Sequence, residues 1–187
     1  MISICPYSGY EIESHPHWLF KNLDHSYRIE VSVIHKCILL VKPKGYSHYI
    51  DKKYIRPKLT KLIAEKFGSD KYFLLMDLSE TNGGSPRSRY SLISWINKNM
   101  DNFHGVYFFN TIAVSRVMIK AGSLVSKSPN KVKIFEDYQS TILNIKKRDE
   151  LQFLEPTGII DLAIRNDISV EEWKRGIVFK SLSGKYY

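Results

Sequence analysis

The stretch Leu75-Met76-Asp77-Leu78-Ser79-Glu80-Thr81-Asn82-Gly83-Gly84-Ser85-Pro86-Arg87-Ser88-Arg89-Tyr90 gathers two carboxylates, several hydroxyls, an Asn-Gly-Gly turn and two guanidinium groups. Guanidinium groups beside the free N–H groups of a helix start can hold a carboxylate or a phosphate, because the helix dipole and the forked donors both favour an anion. Ser85, Arg87, Ser88 and Arg89 are therefore candidate ligand or partner residues. Asp77 ahead of them joins the set, as do Asn110 and Arg116 after the next apolar run. Ser85 and Ser88 are also candidate phosphoacceptors, since a phosphate is favoured at a helix start. The competing reading is structural: the arginines pair with Asp77, Glu80 or Asp101 and fix the loop, while Asp77 accepts from backbone N–H groups of that loop. A small hydrolase would need Asp77 or a serine of the loop joined by His48 or His104 through the fold. No GxSxG order occurs, and Asn82-Gly83-Gly84-Ser85 lacks the lysine and spacing of a phosphate-binding P-loop.

The elements that must position these residues follow from hydrophobic period. Tyr72 to Met76 is a continuous apolar run, the mark of a strand buried on both faces. Ser85 as N-cap with Pro86 at the first helical position opens a helix with a stripe of Tyr90, Leu92, Ile93, Ile96 and Met100. Earlier, Tyr27, Ile29, Val31 and Val33 alternate with Arg28, Glu30 and Ser32, and a turn at His35-Lys36 leads into the apolar run from Cys37 to Val41. This predicts a hairpin. Tyr54, Ile55, Leu59, Leu62, Ile63 and Phe67 fall at helical spacing from about Asp51, with Pro57 limiting where a regular helix can begin. Gly105 to Phe109 is a second buried strand, and Val114, Val117, Met118, Ala121, Leu124 and Val125 mark the helix after it. Val132 to Phe135 is another strand, and Asp137 caps a last helix through Ile142, Leu143 and Ile145 to about Arg148. The order β-β-α-β-α-β-α-β-α predicts an α/β fold: a mixed sheet with an N-terminal hairpin, parallel in its second half, with helices covering it.

A chain of 187 residues with 43% hydrophobic and 13% aromatic content can bury one core of ordinary size. No run approaches the roughly 18 apolar residues that span a bilayer, and no basic-then-apolar leader opens the chain, so a cytoplasmic protein without membrane insertion is expected. Cys5 and Cys37 stand far apart without a CxxC and read as reduced thiols. The formal charge of +9 raises nucleic acid as an alternative partner, but the lysines are interleaved with Asp and Glu, as on solvated helix faces. His15-Pro16-His17 has no neighbouring carboxylate or thiol set at ligand spacing, so neither a metal nor another cofactor is expected.

With this element order, and with Leu75-Met76-Asp77-Leu78-Ser79 as a strand ending in Asp before a loop, the chain resembles the STAS fold, the family of the bacterial anti-sigma-factor antagonists, over about Tyr27 to Arg148. In those antagonists an Asp-Ser pair at the following helix start is phosphorylated; here that place reads Ser85-Pro86, so the pair is not matched. Pro86-Arg87-Ser88-Arg89-Tyr90, with Asn110-Thr111 and Arg116, is similar instead to STAS-like segments at the N-termini of sensory histidine kinases. The resemblance implies a non-enzymatic regulatory or sensory module of a bacterial signalling protein. It would bind a regulatory protein domain or a small anionic ligand at the loop from Asn82 to Tyr90 and relay a change of shape, with a homodimer compatible.

The expected organisation is an N-terminal arm over 1–26 anchored by Trp18 and Phe20, the STAS-like domain over 27–148, and an extension over 149–187. In that extension Ser169 to Glu172 is a capping box ahead of Trp173, and Phe179 to Tyr186 echoes Phe20 to Tyr27. Taken as a repeat, the echo would make the chain the N-terminal piece of a longer protein.

Overall fold

The computed structural model describes residues 1–23, 26–124 and 128–152. The chain divides after Thr141 into two compact units. The first carries one mixed sheet built from β1 (Ile2–Ile4), β2 (Glu11–Lys21), β3 (Arg28–Ile34), β4 (Ile38–Ser47), β5 (Tyr72–Asp77), β6 (Thr81–Gly84), β7 (Phe103–Phe109) and β8 (Val132–Ile134). Its helices are α1 (Asp51–Phe67), α2 (Pro86–Lys98) and α3 (Ala113–Leu124), and α4 (Tyr138–Gln152) runs on into the second unit. The remainder of the 149–187 extension, with its capping box and its echo of Phe20 to Tyr27, lies outside the described residues.

The strands lie in the order β1-β2-β3-β4-β5-β7-β8, and β6 pairs with the end of β4. Pairing is antiparallel from β1 through β4 and parallel from β4 through β8. Every residue of β5 is buried. Because successive side chains point to opposite faces, Leu74 and Met76 join the core under the helices while Phe73 and Leu75 serve the other face. Each such side chain contributes about 1.5–3 kcal/mol when fully buried. Ile55, Leu62 and Phe67 of α1 and Ile96 of α2 close the first face, with Trp18 and Phe20 of β2 at its antiparallel end.

The expected hairpin is present: His35 and Lys36 both take positive φ, 49° and 57°, a two-residue turn whose twist suits antiparallel strands. Ser85 accepts from Ser88 N at 3.3 Å and Pro86 opens α2, as the capping pattern predicts.

Four local expectations are corrected. The 1–26 arm, outside the predicted element order, contains β1 and β2; Pro16 falls in the break in register between Ser14 and Leu19, where no ladder bond is needed. The Asn82-Gly83-Gly84 turn is instead part of β6, with Gly45 N donating to Glu80 O and Ser85 N to Ser47 O. Pro57 lies inside α1, past the first turn that tolerates it, and does not limit where the helix begins. Finally, Tyr54, Tyr90 and Val117, placed on apolar stripes, are exposed, because each helix turns a different face to the sheet.

One glycine fixes where β4 bends toward β6. Gly45 has φ +86°, and a Cβ there would collide with the carbonyl oxygen of Ser26. Gly45→Ala should therefore lower stability by more than about 3 kcal/mol in urea denaturation, combining positive-φ strain with a backbone clash. At Gly9 (φ +76°), with open space around it, the same change should cost only about 1–2 kcal/mol.

Candidate functional site

Polar side chains meet where β3 begins, β4 ends and the helices α1 and α2 start. Asn22, before the turn into β3, accepts from Tyr27 N at 3.1 Å and donates to Asp51 Oδ1 at 3.0 Å. Asp51 Oδ2 takes His48 N at 2.6 Å, which fixes the first residue of α1. Both Asn22 and Asp51 are buried. A buried carboxylate held by such donors is expensive to disturb.

Asp51 sets the position of its neighbour. The Lys52 ammonium donates to the Ser88 carbonyl of α2, and one turn on Arg56 donates to Ser91 O and Oγ at 3.2 and 2.8 Å. Ser88, 2% exposed, shares a 2.7 Å hydrogen bond between its hydroxyl and that of Ser47. Gly84 lets β6 pass close to this pair, since a Cβ there would sit 3.0 Å from Ser47 O. Burial, with the charge of Arg56 adding to it, pushes Lys52 down to about 8. Burial also pushes Tyr27 up to about 12; a hydrogen bond with Ser47 partly offsets this and the charge of Asp51 adds to it.

Of these groups Tyr27, Ser47, Lys52, Gly84 and Ser88 line the mouth of a cavity of about 470 Å³. Its floor is Pro43, Met76, Phe108 and Val132, one from each of four neighbouring strands, and its walls are Leu92, Ile93 and Ile96 of α2 facing Ser115, Ile119 and Gly122 of α3. The space has a sequence cause: α3 turns two serines and a glycine toward the sheet at Ser115, Gly122 and Ser123, and these cannot fill the gap that larger side chains would. Where Gly122 passes Ile93, a Cβ would come within 3.1 Å of Ile93 Cδ1. Among the described residues, Lys52 and Arg89 are the charged residues lining the cavity, and no Asp or Glu lines it.

The candidate residues from the sequence separate into two groups. Asp77 accepts from Ser79 N at 3.0 Å and from Asn110 Nδ2 at 2.9 Å, with Asn110 at φ 53°; Arg116 Nε reaches Thr111 Oγ1 at 3.4 Å. That cluster closes the ends of β5 and β7. Ser88 and Arg89 line the cavity instead, Ser85 caps α2, and the Arg87 guanidinium lies over the Tyr49 ring at 4.3 Å. Glu80, one proposed arginine partner, pairs with Lys44 at 2.8 Å. The hydrolase grouping is not assembled: Asp77 is engaged by Asn110, Ser88 by Ser47, and the His48 ring packs on Tyr46 and the His104 ring on Phe73. Ser88 is too buried to accept phosphate without local opening. Sequence reading missed Tyr27, Ser47 and Lys52 as site residues. Lys52 carries no local signal beyond its place beside Asp51, the first helical residue.

A hairpin entering a mixed sheet, parallel crossovers under helices, and a polar site at the carboxyl rim of β4 and β5 define a STAS-like α/β fold. The similarity extends to a solved structure, that of an uncharacterised protein of the DUF3478 family with a SpoIIAA-like fold from Shewanella loihica PV-4. The TM-score is 0.50 at 17% identity, covering 63% of this chain and 91% of that one. No protein-family model and no curated protein matches the chain.

Two outcomes follow from the mouth. Asp51→Ala removes the acceptor of Asn22 and His48 N, and should lower stability by about 2–4 kcal/mol in chemical denaturation. Lys52 has a folded value near 8 against an ordinary value near 10.5, so between these pH values the unfolded chain holds a proton that the folded chain has released. Stability should therefore gain with rising pH across that window relative to Lys52→Met, as read from the difference of the two melting curves. The charged and titratable groups around Lys52 are Asp51 and Arg56 of α1, Tyr27 before β3 and Arg89 of α2; all are retained in both proteins.

Proposed function

We propose that this chain is a non-catalytic regulatory module that takes a small anionic ligand in the cavity between α2, α3 and the sheet. The single observation that carries this is the cavity itself: about 470 Å³, within the range of small-molecule sites, largely apolar inside, with two cationic residues and no acidic one on its walls. A STAS-like fold supports a regulatory role over an enzymatic one. The relay would run through the helix ties. A ligand anion that draws the Lys52 ammonium from the Ser88 carbonyl loosens one of the contacts that hold α1 to α2, while Arg56 still grips Ser91. The lysines give less support to nucleic acid: Lys44 pairs with Glu30 and Glu80, Lys66 with Glu13 and Lys61 with Glu65.

A protein partner is the second reading, and a specific observation favours it. Tyr46 and Ile112 line the cavity yet are 41% and 61% exposed, so its entrance presents apolar surface to solvent.

Native mass spectrometry of the chain purified from its host separates the two. A small-molecule adduct that is lost in Ser115→Trp, which fills the cavity from a half-buried position of α3, is the expected result. A bare polypeptide from the host, with Ser115→Trp equally bare and equally stable, would move the weight to a protein partner.

A further inference from the structure

Resting on that reading of the cavity as a ligand site, we propose that its occupant is a single-chain amphiphile with a carboxylate head, a fatty acid in its ionised form. The head would sit at Lys52 beside Ser47, Ser88 and Arg89, and the alkyl chain would run along the floor toward Val132.

Three observations favour this chemistry over other anions. The first is shape. The floor residues Pro43, Met76, Phe108 and Val132 come from β4, β5, β7 and β8, which are successive neighbours in the sheet, so the floor crosses three strand spacings, about 14 Å. A cavity that long with a volume of about 470 Å³ is a slot.

The second is the character of the walls. Leu92, Ile93, Ile96, Ile119 and Met76 are aliphatic or thioether; the aromatic lining residues are Phe108 on the floor with Tyr27 and Tyr46 elsewhere in the lining, and the side-chain amides are the two of Asn82 and Asn97. Flexible aliphatic walls suit an alkyl chain; a nucleobase or other flat anion would be better served by paired rings or by a row of amide donors and acceptors.

The third is the distribution of charge. Both lining cations stand at helix starts, Lys52 in the first turn of α1 and Arg89 in the first turn of α2, while Ile119, Gly122, Ser123 and Val132, half-buried, line the cavity without charge. An apolar body with one anionic end is the complement of that pattern. Hydroxyls of Ser47 and Ser88 lie beside the ammonium, and Tyr27 lines the same end.

The chemistry of Lys52 supplies a readout that mere hydrophobic partition would not move. Above about pH 8 the free amine is largely neutral. A bound carboxylate favours the ammonium, so binding there should draw a fraction of a proton, at most about three-quarters at pH 8.5, from the buffer onto Nζ while the carboxylate stays ionised. The groups facing Nζ in addition to the ligand are Asp51 and Arg56 on α1, Tyr27 before β3 and Arg89 on α2.

The test is isothermal titration calorimetry of the full chain at about pH 8.5, above the Lys52 value, in two buffers of different protonation enthalpy. The probes are dodecanoate below its micelle concentration, butanoate, and dodecyltrimethylammonium as a cation with the same tail. Dodecanoate is expected to bind with net proton uptake, and butanoate at least about a hundredfold more weakly because most of the buried methylenes are gone. The cation should bind at least about tenfold more weakly than dodecanoate. Lys52→Met should abolish the proton uptake, and Lys52→Arg should bind dodecanoate without it, since arginine keeps its charge. Circular dichroism melting of each variant confirms that it is folded. If dodecanoate and the dodecyl cation bind alike without proton uptake, the carboxylate proposal is overturned while the cavity stands as a ligand site. If neither amphiphile binds the folded protein but a host-derived adduct is still seen by mass spectrometry, the acyl class is wrong and the ligand reading survives. If there is no binding and no adduct, both are wrong.

Discussion

A strand with no solvent face dictates most of this architecture. All six residues of β5 are buried, so the sheet must be covered on both sides there, and β5 must have neighbours along both edges. Parallel pairing with β4 and β7 satisfies the backbone, and parallel strands require crossovers long enough to hold a helix. The helices α1 and α2 are those crossovers. Each brings a helix start to the carboxyl end of the parallel strands, so the polar mouth lies at that rim as a consequence of burying Leu74, Leu75 and their neighbours.

The rim is shaped by two opposite packing decisions. At the start of α1 every polar group is tightly committed: Asp51 to Asn22 and His48, Ser47 to Ser88, Lys52 to the Ser88 carbonyl. Below it, α3 leaves the packing incomplete by presenting Ser115, Gly122 and Ser123 where Leu or Ile would have closed the core. A rigid polar collar over an underfilled apolar space combines orientation with room, the two things a small-molecule site needs.

The amino-acid pattern revealed the parts of the fold whose cause is local. Ser85-Pro86 marks a helix start because one side chain caps and the next has its φ already set. The Tyr72 to Met76 run marks a doubly buried strand because nothing else tolerates five successive apolar residues there. Elements with distant causes were illegible. Thr81-Asn82-Gly83-Gly84 has the composition of a turn and becomes β6 because the end of β4 has an unpaired edge to offer. The alternation of β2 is broken by the irregular register around Pro16, so only Trp18 and Phe20 betrayed its buried side. The site divided in the same way. Arginines and serines beside a helix start are visible in the chain, and Ser88 and Arg89 do reach the cavity. The apolar stripe of α3 rests in the sequence on Val114, Val117, Met118, Ala121, Leu124 and Val125, which hides the cavity wall because serine and glycine carry no hydrophobic signal, and Lys52 becomes distinctive only through the burial that its helix start imposes.

The two outer strands of the sheet are its shortest: among the described residues, β1 and β8 are each three residues long. An outer strand of that length offers few open N–H and C=O groups, too few to template a stable ladder with a strand donated by another molecule. Ile2 and Ile4 on β1 are exposed and could feed aggregation on a longer edge. At these two short strands the sheet resists growth by strand augmentation, so contacts made there rest on side chains, which can be tuned by substitution, rather than on the backbone, which cannot.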